Sequence, residues 1–457
     1  MDSISGNITI YGEKFSFIFK DNILHINIPI DHNKITPLSS GKLESCILTG
    51  TFENDSKFVT FYVGDHTYFT GFSVKYFAYT TFQISVKFYI VHSIPLNDLN
   101  FTQVKIDFYN NKFRKWLGFY EEHNLKKKRS KKAVMNDNAI YSVSSCNLKT
   151  NFKINNKLIN VFPSYSVSYN YSSINFKTIL SFRYVAKTID FSLLDSLFES
   201  VYKMLKFIFY RQNVEFGNLK LLVKHMVGVK KQFEKIGDIF VPILNEHEME
   251  SPNLNTTNDI GFIPWHHSYK VIPKIVELNN NGELYLYSLP MQKKEQKFIT
   301  INSVSLIASS FEFEYCHLYT KTIFEDLDDR KEIRNIVNKN IGLFKNENQQ
   351  TLVKNAIGTI FKPSLSMKAQ RALNDFLPLL TELVAKFNYN DIIKEVSKIF
   401  VKARNDIDHG NKNINITTDI ANALYVMRIL VCCMQLKRLG LNDEDIFNSV
   451  RCIFEIF

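Results

Sequence analysis

The 457-residue chain is poor in the residues that staple, cradle or anchor a protein. Its six cysteines, Cys46, Cys146, Cys316, Cys432, Cys433 and Cys452, are too few for a disulfide framework at this length. None stands in a C-x-x-C pair, which argues against a zinc site and fits a reducing cytoplasm. Only 16 glycines serve the whole chain, and no Gly-rich phosphate loop, G-x-S-x-G, H-E-x-x-H or internal repeat can be read. Those absences set aside the commonest nucleotide-binding, serine-hydrolase and zinc-protease readings. The opening MDSISGNITIYGEKF has neither a basic n-region nor an apolar h-region, and the apolar run Leu424–Met434 is interrupted by Arg428. The expectation is a cytoplasmic protein with no membrane span. Acidic residues are in deficit, 45 against 56 Lys plus Arg, and the net charge of +11 favours an anionic partner such as RNA, DNA or an acidic membrane surface. Charge alone does not choose among these, and an AT-rich coding sequence would produce the same lysine excess.

What is present is enough apolar material for two or three folded units, with 45% hydrophobic and 14% aromatic residues. The first half alternates with period two. In FQISVKFYI, Phe82, Ile84, Val86, Phe88 and Ile90 share one face, and Leu24, Ile26, Ile28 and Ile30 repeat the pattern. Val63-Gly64-Asp65-His66 between two β-prone runs predicts a hairpin turn. Tyr165, Val167, Tyr169 and Tyr171 alternate with polar residues further on. Residues 1 to about 185 are therefore expected as antiparallel sheet, a sandwich or a barrel. Asp190 is a candidate N-cap for an amphipathic helix through Tyr210. Trp265-His266-His267 has no companion at metal-ligand spacing, so a structural or surface role is expected, with no metal and no cofactor.

After QKKEQK (292–297) the period changes. Leu373, Phe376, Leu377, Leu380, Leu383, Val384 and Phe387 form one continuous helical stripe, and a second helix carries Ile393, Val396, Phe400, Ala403 and Ile407 inward. A third is expected from about Thr418 to Leu439, stopped by Gly440. The fold class expected is α+β: a β-rich N-terminal domain (1–124), a basic linker (125–137), a second β-rich or mixed region (138–297) that can be continuous with the first, and an all-α bundle (298–457). The linker's cations Lys126, Lys127, Lys128, Arg129, Lys131 and Lys132 cannot be buried. They either grip a phosphate backbone or form a solvated loop, and no aromatic residues interleave with them.

The stretch RNDIDHG (404–410) closes the second bundle helix. Gly410 suits a left-handed C′ position, which places His409 in the last turn beside Asp406 and Asp408, a fitting place for a general acid. Arg404, one turn earlier, can hold a phosphate through its planar fork of donors. An Arg followed by a His at +5 arises by chance about 0.3 times in a chain of this composition, so spacing alone says little. Arg404 also has Asp408 at i+4, and a surface ion pair explains it equally.

With Asn405 directly after the arginine, R-N-x-x-x-H resembles the R-x4-6-H motif of HEPN domains. VSLIASSFEFEYCHLY before it and RILVCCMQLKRLGL after it are similar to the opening and closing helices of the HEPN domain in ApeA-like antiphage abortive-infection proteins. FTQVKIDFYNNKFRKWLG, ending in Trp116-Leu117-Gly118, resembles a signature of that family's β-rich N-terminal domain. The resemblance implies a metal-independent endoribonuclease that leaves a 2′,3′-cyclic phosphate and a 5′-hydroxyl, with RNA, tRNA among its classes, as substrate. It implies a homodimer or higher homo-oligomer through the HEPN domain, which would also answer a geometric difficulty, that residues five apart diverge by about 140° on one helix. It also implies a phage-encoded activator. His409 would then move protons, Arg404 would stabilise the phosphorane, Asn405 would orient the phosphate or the histidine, and Glu314 and Asp408 would support them. The rival expectation is a non-catalytic HEPN module that binds a nucleotide, RNA or a protein.

Overall fold

The computed structural model describes residues 3–10, 12–29, 46–52, 57–64, 71–75, 79–96, 101–110, 116–117, 140–143, 148–169, 174–214, 216–227, 230–241, 261–319, 328–344, 346–360, 363–387, 389–409 and 415–456. The basic run 125–137, including Lys126 to Lys132, lies outside the described residues, as do Ile30, Tyr171 and Gly410. Two compact units are present: residues 1–208, 213–258 and 264–283 form the first, and 209–212, 259–263 and 284–457 the second.

Among the described residues the first unit is built on one antiparallel sheet of 15 strands. In chain order these are β1 (Ile4–Ile10), β2 (Glu13–Lys20), β3 (Ile23–Pro29), β4 (Ile47–Phe52), β5 (Phe58–Tyr62), β6 (Gly71–Lys75), β7 (Tyr79–Ser85) and β8 (Phe88–His92). They continue as β9 (Val104–Tyr109), β10 (Ile140–Val143), β11 (Thr150–Ile154), β12 (Lys157–Tyr169), β13 (Ile174–Tyr184), β14 (Asn218–Val227) and β15 (Lys230–Phe240). The spatial order is β10-β12-β13-β9-β14-β15-β8-β5-β4-β1-β2-β3-β7-β6, with β11 on β12, so strands from both sides of 125–137 share the sheet.

Part of this sheet closes on itself. β7 and β8 flank opposite ends of the run β8-β5-β4-β1-β2-β3-β7, yet the chain passes from one to the other through Val86 and Lys87 alone. At that point the Val86 amide donates to the Asn22 carbonyl on one side and the Lys87 amide to the Tyr62 carbonyl on the other, at 3.2 and 2.9 Å. Inward residues of the closed run, among them Phe17, Leu24, Ile26, Phe61 and Ile84, form one apolar core, as the alternation predicts. The remaining strands carry two helices, α1 (Phe191–Ile208) and α2 (Trp265–Asn280). Phe198 of α1 stacks edge-on against Phe88 and Phe216, and α2 packs on β11. Asp190 caps α1 as expected, accepting from the Leu193 amide at 3.0 Å.

Two local expectations fail here. FQISVKFYI is two strands rather than one, and the strands on either side of the expected turn are not partners: β5 pairs with β4 and β8, whereas β6 pairs with β7, Asp65 and His66 lying outside the described residues. Gly64 does adopt the positive φ of 93° that a turn asks for. Turn chemistry favours a reversal, but ring closure decides which strand is the partner.

The second unit contains α3 (Ile301–Leu318), α4 (Asp328–Asn340), α5 (Glu347–Ile360), α6 (Leu365–Asp375), α7 (Leu377–Leu383), α8 (Ile392–Asp408), α9 (Thr418–Arg438) and α10 (Asp443–Phe454). The fold class is α+β in the expected order, a β-rich N-terminal part followed by helices. The stripe from Leu373 to Phe387 is not one helix, however. Phe376 separates α6 from α7, Pro378 sits in the first turn of α7, and a 3-10 turn covers Ala385–Phe387. Proline lacks the N–H that a continuous helix would need there but is tolerated in a first turn, so the burial stripe survives while the helix restarts.

α9 is the central helix. Every residue from Ala423 to Leu436 is buried, and Gly440 (φ 90°) ends it with the Gly440 and Leu441 amides bonded back to the carbonyls of Lys437 and Leu436. Its length and a mean hydropathy of 1.4 would suffice to cross a membrane, but 78% of that stretch is buried within the protein, so it is a core helix. Arg428, the charge within the apolar run, is buried with Nη1 at 3.0 Å from the carbonyl oxygens of Glu295, Gln296 and Phe298. It pins the segment that precedes α3.

Candidate functional site

α8 places the residues singled out by sequence. Asp391 caps it, accepting from the Lys394 amide at 3.1 Å, and that bond holds the Asp391 carboxyl below its ordinary range. Val396, Ser397, Phe400 and Ala403 are buried, and the helix packs on α9, α6 and α3. Phe400 meets Phe311 of α3 edge-on with ring centroids 5.7 Å apart. This packing buries one side of α8 and leaves its outer side open.

At that end Arg404, Asn405, Asp408 and His409 fall within one and a half turns. Arg404 Nε contacts Asp408 Oδ2 at 2.8 Å, and its Nη1 donates to Asn405 Oδ1 at 3.3 Å. The Arg404 and Asp408 side chains are 36% and 38% exposed. His409 is the C-cap residue, its amide bonded to the Asn405 carbonyl at 3.0 Å and its side chain exposed. The structure therefore brings Arg404, Asn405 and Asp408 into contact and leaves His409 beside them, facing solvent.

Glu314 stands elsewhere. It is fully buried in α3, where Arg438 of α9 grips it at both oxygens, Nε to Oε2 at 2.7 Å and Nη2 to Oε1 at 3.0 Å. Burial pushes its carboxyl up to about 6 despite the arginine. A carboxylate closed off in this way ties α3 to α9.

An open groove of about 620 Å³ runs between α6 and α8. Ser366 and Gln370 line it from α6, and Lys394, Lys398, Lys402 and Asn405 from α8. The three lysines stand at i, i+4 and i+8. That spacing is legible in IIKEVSKIFVKARND, but a lysine ladder signifies little until a facing helix makes it the wall of a groove.

Other candidates resolve as structure. Trp265 and His267 are buried, Trp116 donates to Ser268 at 3.1 Å and meets Trp265 edge-on at 5.2 Å, and Leu117 is buried with them. Among the described residues no group of three or more His, Cys, Asp or Glu is placed to hold a metal. Cys432 and Cys433 are fully buried in α9, where burial pushes both thiols up, that of Cys433 to about 12.

Comparison with known proteins places the helical unit. Residues 313–445, from within α3 to within α10, match the family described as Apea-like HEPN. Arg404 to His409 lie inside the matched region, which is where the chain is similar to that family. No curated protein and no solved structure matches the chain.

Proposed function

We propose that this protein is a cytoplasmic antiphage defence protein whose HEPN domain is a metal-independent endoribonuclease, acting on host or phage RNA, tRNA included, to abort infection. The observation that carries the reading is the placement of Arg404, Asn405 and His409, in the R-x4-H order of HEPN nucleases, at an open helix end within the matched region. HEPN domains are in general of ribonuclease type. In the reaction a base accepts the 2′-hydroxyl proton, the 2′-oxygen bonds to phosphorus, and the P–O5′ bond breaks with a proton delivered to O5′. The products are a 2′,3′-cyclic phosphate and a 5′-hydroxyl. His409 serves in proton transfer. Arg404, held at Nε by Asp408, turns its remaining N–H groups to the charge that builds on the phosphorane, and Asn405 orients the phosphate. On an ideal helix Arg404 and His409 point about 140° apart, so a homodimer that brings two α8 ends together supplies each cleft with both groups. The β-rich unit senses the phage-encoded activator.

A second reading has one observation in its favour. The Arg404–Asp408 contact at 2.8 Å is also what a helix-surface ion pair looks like, which suits a non-catalytic module binding a nucleotide, RNA or a protein. Phage challenge of cells expressing wild type, Arg404→Ala or His409→Ala, with RNA ends mapped, separates the two. The nuclease reading expects protection and new cyclic-phosphate ends in wild type and neither in the variants at equal protein level. Alanine variants that protect as well as wild type leave the binding module.

A further inference from the structure

We propose that the groove between α6 and α8 is the track along which the RNA backbone is led into this site, and that it reads phosphates rather than bases. The inference rests on the nuclease reading and adds where the substrate lies.

Two rows of α8 side chains line the groove. Lys394, Lys398, Lys402 and Asp406 follow one another at i+4, and Val401 and Asn405 form the parallel row. His409 is the next i+4 position after Asn405. On ideal helix geometry it lies about 40° from Asn405 and about 20° from the Lys398 and Lys402 directions, whereas Arg404 lies about 100° from Asn405 on the other side. The lining of the groove ends at Asn405 and Asp406, and His409 continues the same helix face one step beyond it. Successive lysines are about 6 Å apart along the axis, a step comparable with that between phosphates of an extended strand.

These lysines are available. Several cations elsewhere are engaged: Arg183 lies over the Phe162 and Phe233 rings at 4.4 and 5.1 Å, Lys105 pairs with Asp107 at 2.8 Å, and Arg438 is closed on Glu314. Lys394 has a loose partner in Asp391 at 3.4 Å with its side chain 81% exposed. Lys398 and Lys402 are exposed and have no ion pair among the described residues. Among the described residues no aromatic side chain lines the groove to stack a base, and Ser366 and Gln370 add neutral donors on the opposite wall. Asp406 repels a phosphate at the end of the lysine row, which turns the strand from Lys402 toward Asn405 and His409. An acidic protein segment would also meet the lysines, but a groove whose lining reaches Asn405, with His409 one step beyond on the same face, favours a polyphosphate strand.

The test is the salt dependence of binding by the full-length chain to a mixed-sequence single-stranded oligoribonucleotide, in a His409→Ala background so that the probe survives. Each phosphate contact on a single strand contributes about 0.7 to the slope of log affinity against log salt. Lys398→Ala/Lys402→Ala should therefore lower the slope by about 1.4, which is about 25-fold in affinity at 0.1 M salt if the difference vanishes near 1 M. Lys398→Arg/Lys402→Arg should restore the slope. A double alanine variant that keeps wild-type affinity and slope, while the protein with His409 intact cleaves RNA, overturns the groove and leaves the nuclease standing. The same holds if the substitutions change only the oligomeric state, since the groove is then a protein–protein surface. If the unsubstituted chain neither binds nor cleaves RNA, the nuclease reading falls and takes the groove with it.

Discussion

Arg438 reaches Glu314 at 2.7 Å and Arg404 reaches Asp408 at 2.8 Å, yet the side chains of the first pair are 9% and 0% exposed and those of the second 36% and 38%. The contacts are alike and the surroundings are not. In the interior, removing one partner strands a charge in a poorly polarisable medium, so the pair holds α3 and α9 together and is closed to any ligand. At the open end of α8 water screens the pair, which is worth little to the fold, so an incoming phosphate can share the arginine at small cost. An arginine–carboxylate pair thus serves architecture in one place, and in the other it is open to the role proposed for it.

The largest expected effect lies at the open end. Loss of a positioned acid or base costs about 10²- to 10⁴-fold in rate. His409→Ala in the purified protein should lower RNA cleavage by about that factor, equivalent to about 3 to 5 kcal/mol of transition-state stabilisation, with the unfolding midpoint unchanged. Cleavage at wild-type rates would place this end with the architecture after all.

Next comes the closed pair. Glu314→Ala takes from Arg438 the buried carboxylate it holds and should destabilise the helical unit by about 3 to 5 kcal/mol in urea unfolding. A cost under 1 kcal/mol would mean that water reaches the pair, and the contrast between interior and surface would be lost.

The closed pair also carries a pH signature. Burial raises the Glu314 carboxyl from 4.5 to about 6, so the folded state holds its proton more tightly than the unfolded state. Its contribution to stability is complete below pH 4.5 and is lost as pH rises through about 6. Relative to Glu314→Gln, which does not titrate there, wild type should lose about 2 kcal/mol of unfolding free energy between acid pH and neutrality. Parallel pH profiles for the two proteins would show that arginine pairing, rather than burial, governs Glu314.

Much of this contrast was hidden in the sequence. Strand alternation announces which of Leu24, Ile26, Phe82 and Ile84 turn inward, because a period of two is local, and the Asp190 cap and the Gly440 stop are local as well. The partner of β5 is not local, and ring closure through Val86 and Lys87 overrode the turn signal at Gly64. Helical periodicity reported the burial of Leu380 and Leu383 but passed over the restart at Pro378. At the site, RNDIDHG gave Arg404 and His409 on one helix end. It could not show that Glu314 meets Arg438, 124 positions away, or that α6 walls in the lysines of α8. Residue type was legible throughout, whereas burial across helices, which separates the two arginine pairs, was not.

The smallest expected effect is the most discriminating for that distinction. Arg404 and Asp408 are one turn apart on an exposed helix face, in the less favourable order for an i, i+4 pair, and both side chains are more than a third exposed. Solvent screening and the entropy of holding two side chains offset most of the attraction, so Asp408→Ala should change stability by less than about 1 kcal/mol. Its effect on cleavage should exceed its effect on folding, because Asp408 fixes the Nε edge of the guanidinium and so aims the remaining donors of Arg404. Asp408→Asn, which can still accept from Nε–H, should recover part of the rate without recovering the charge. A stability loss for Asp408→Ala as large as that for Glu314→Ala would make the open pair a second structural clamp, and a clamp that cannot release its arginine cannot lend it to a phosphate.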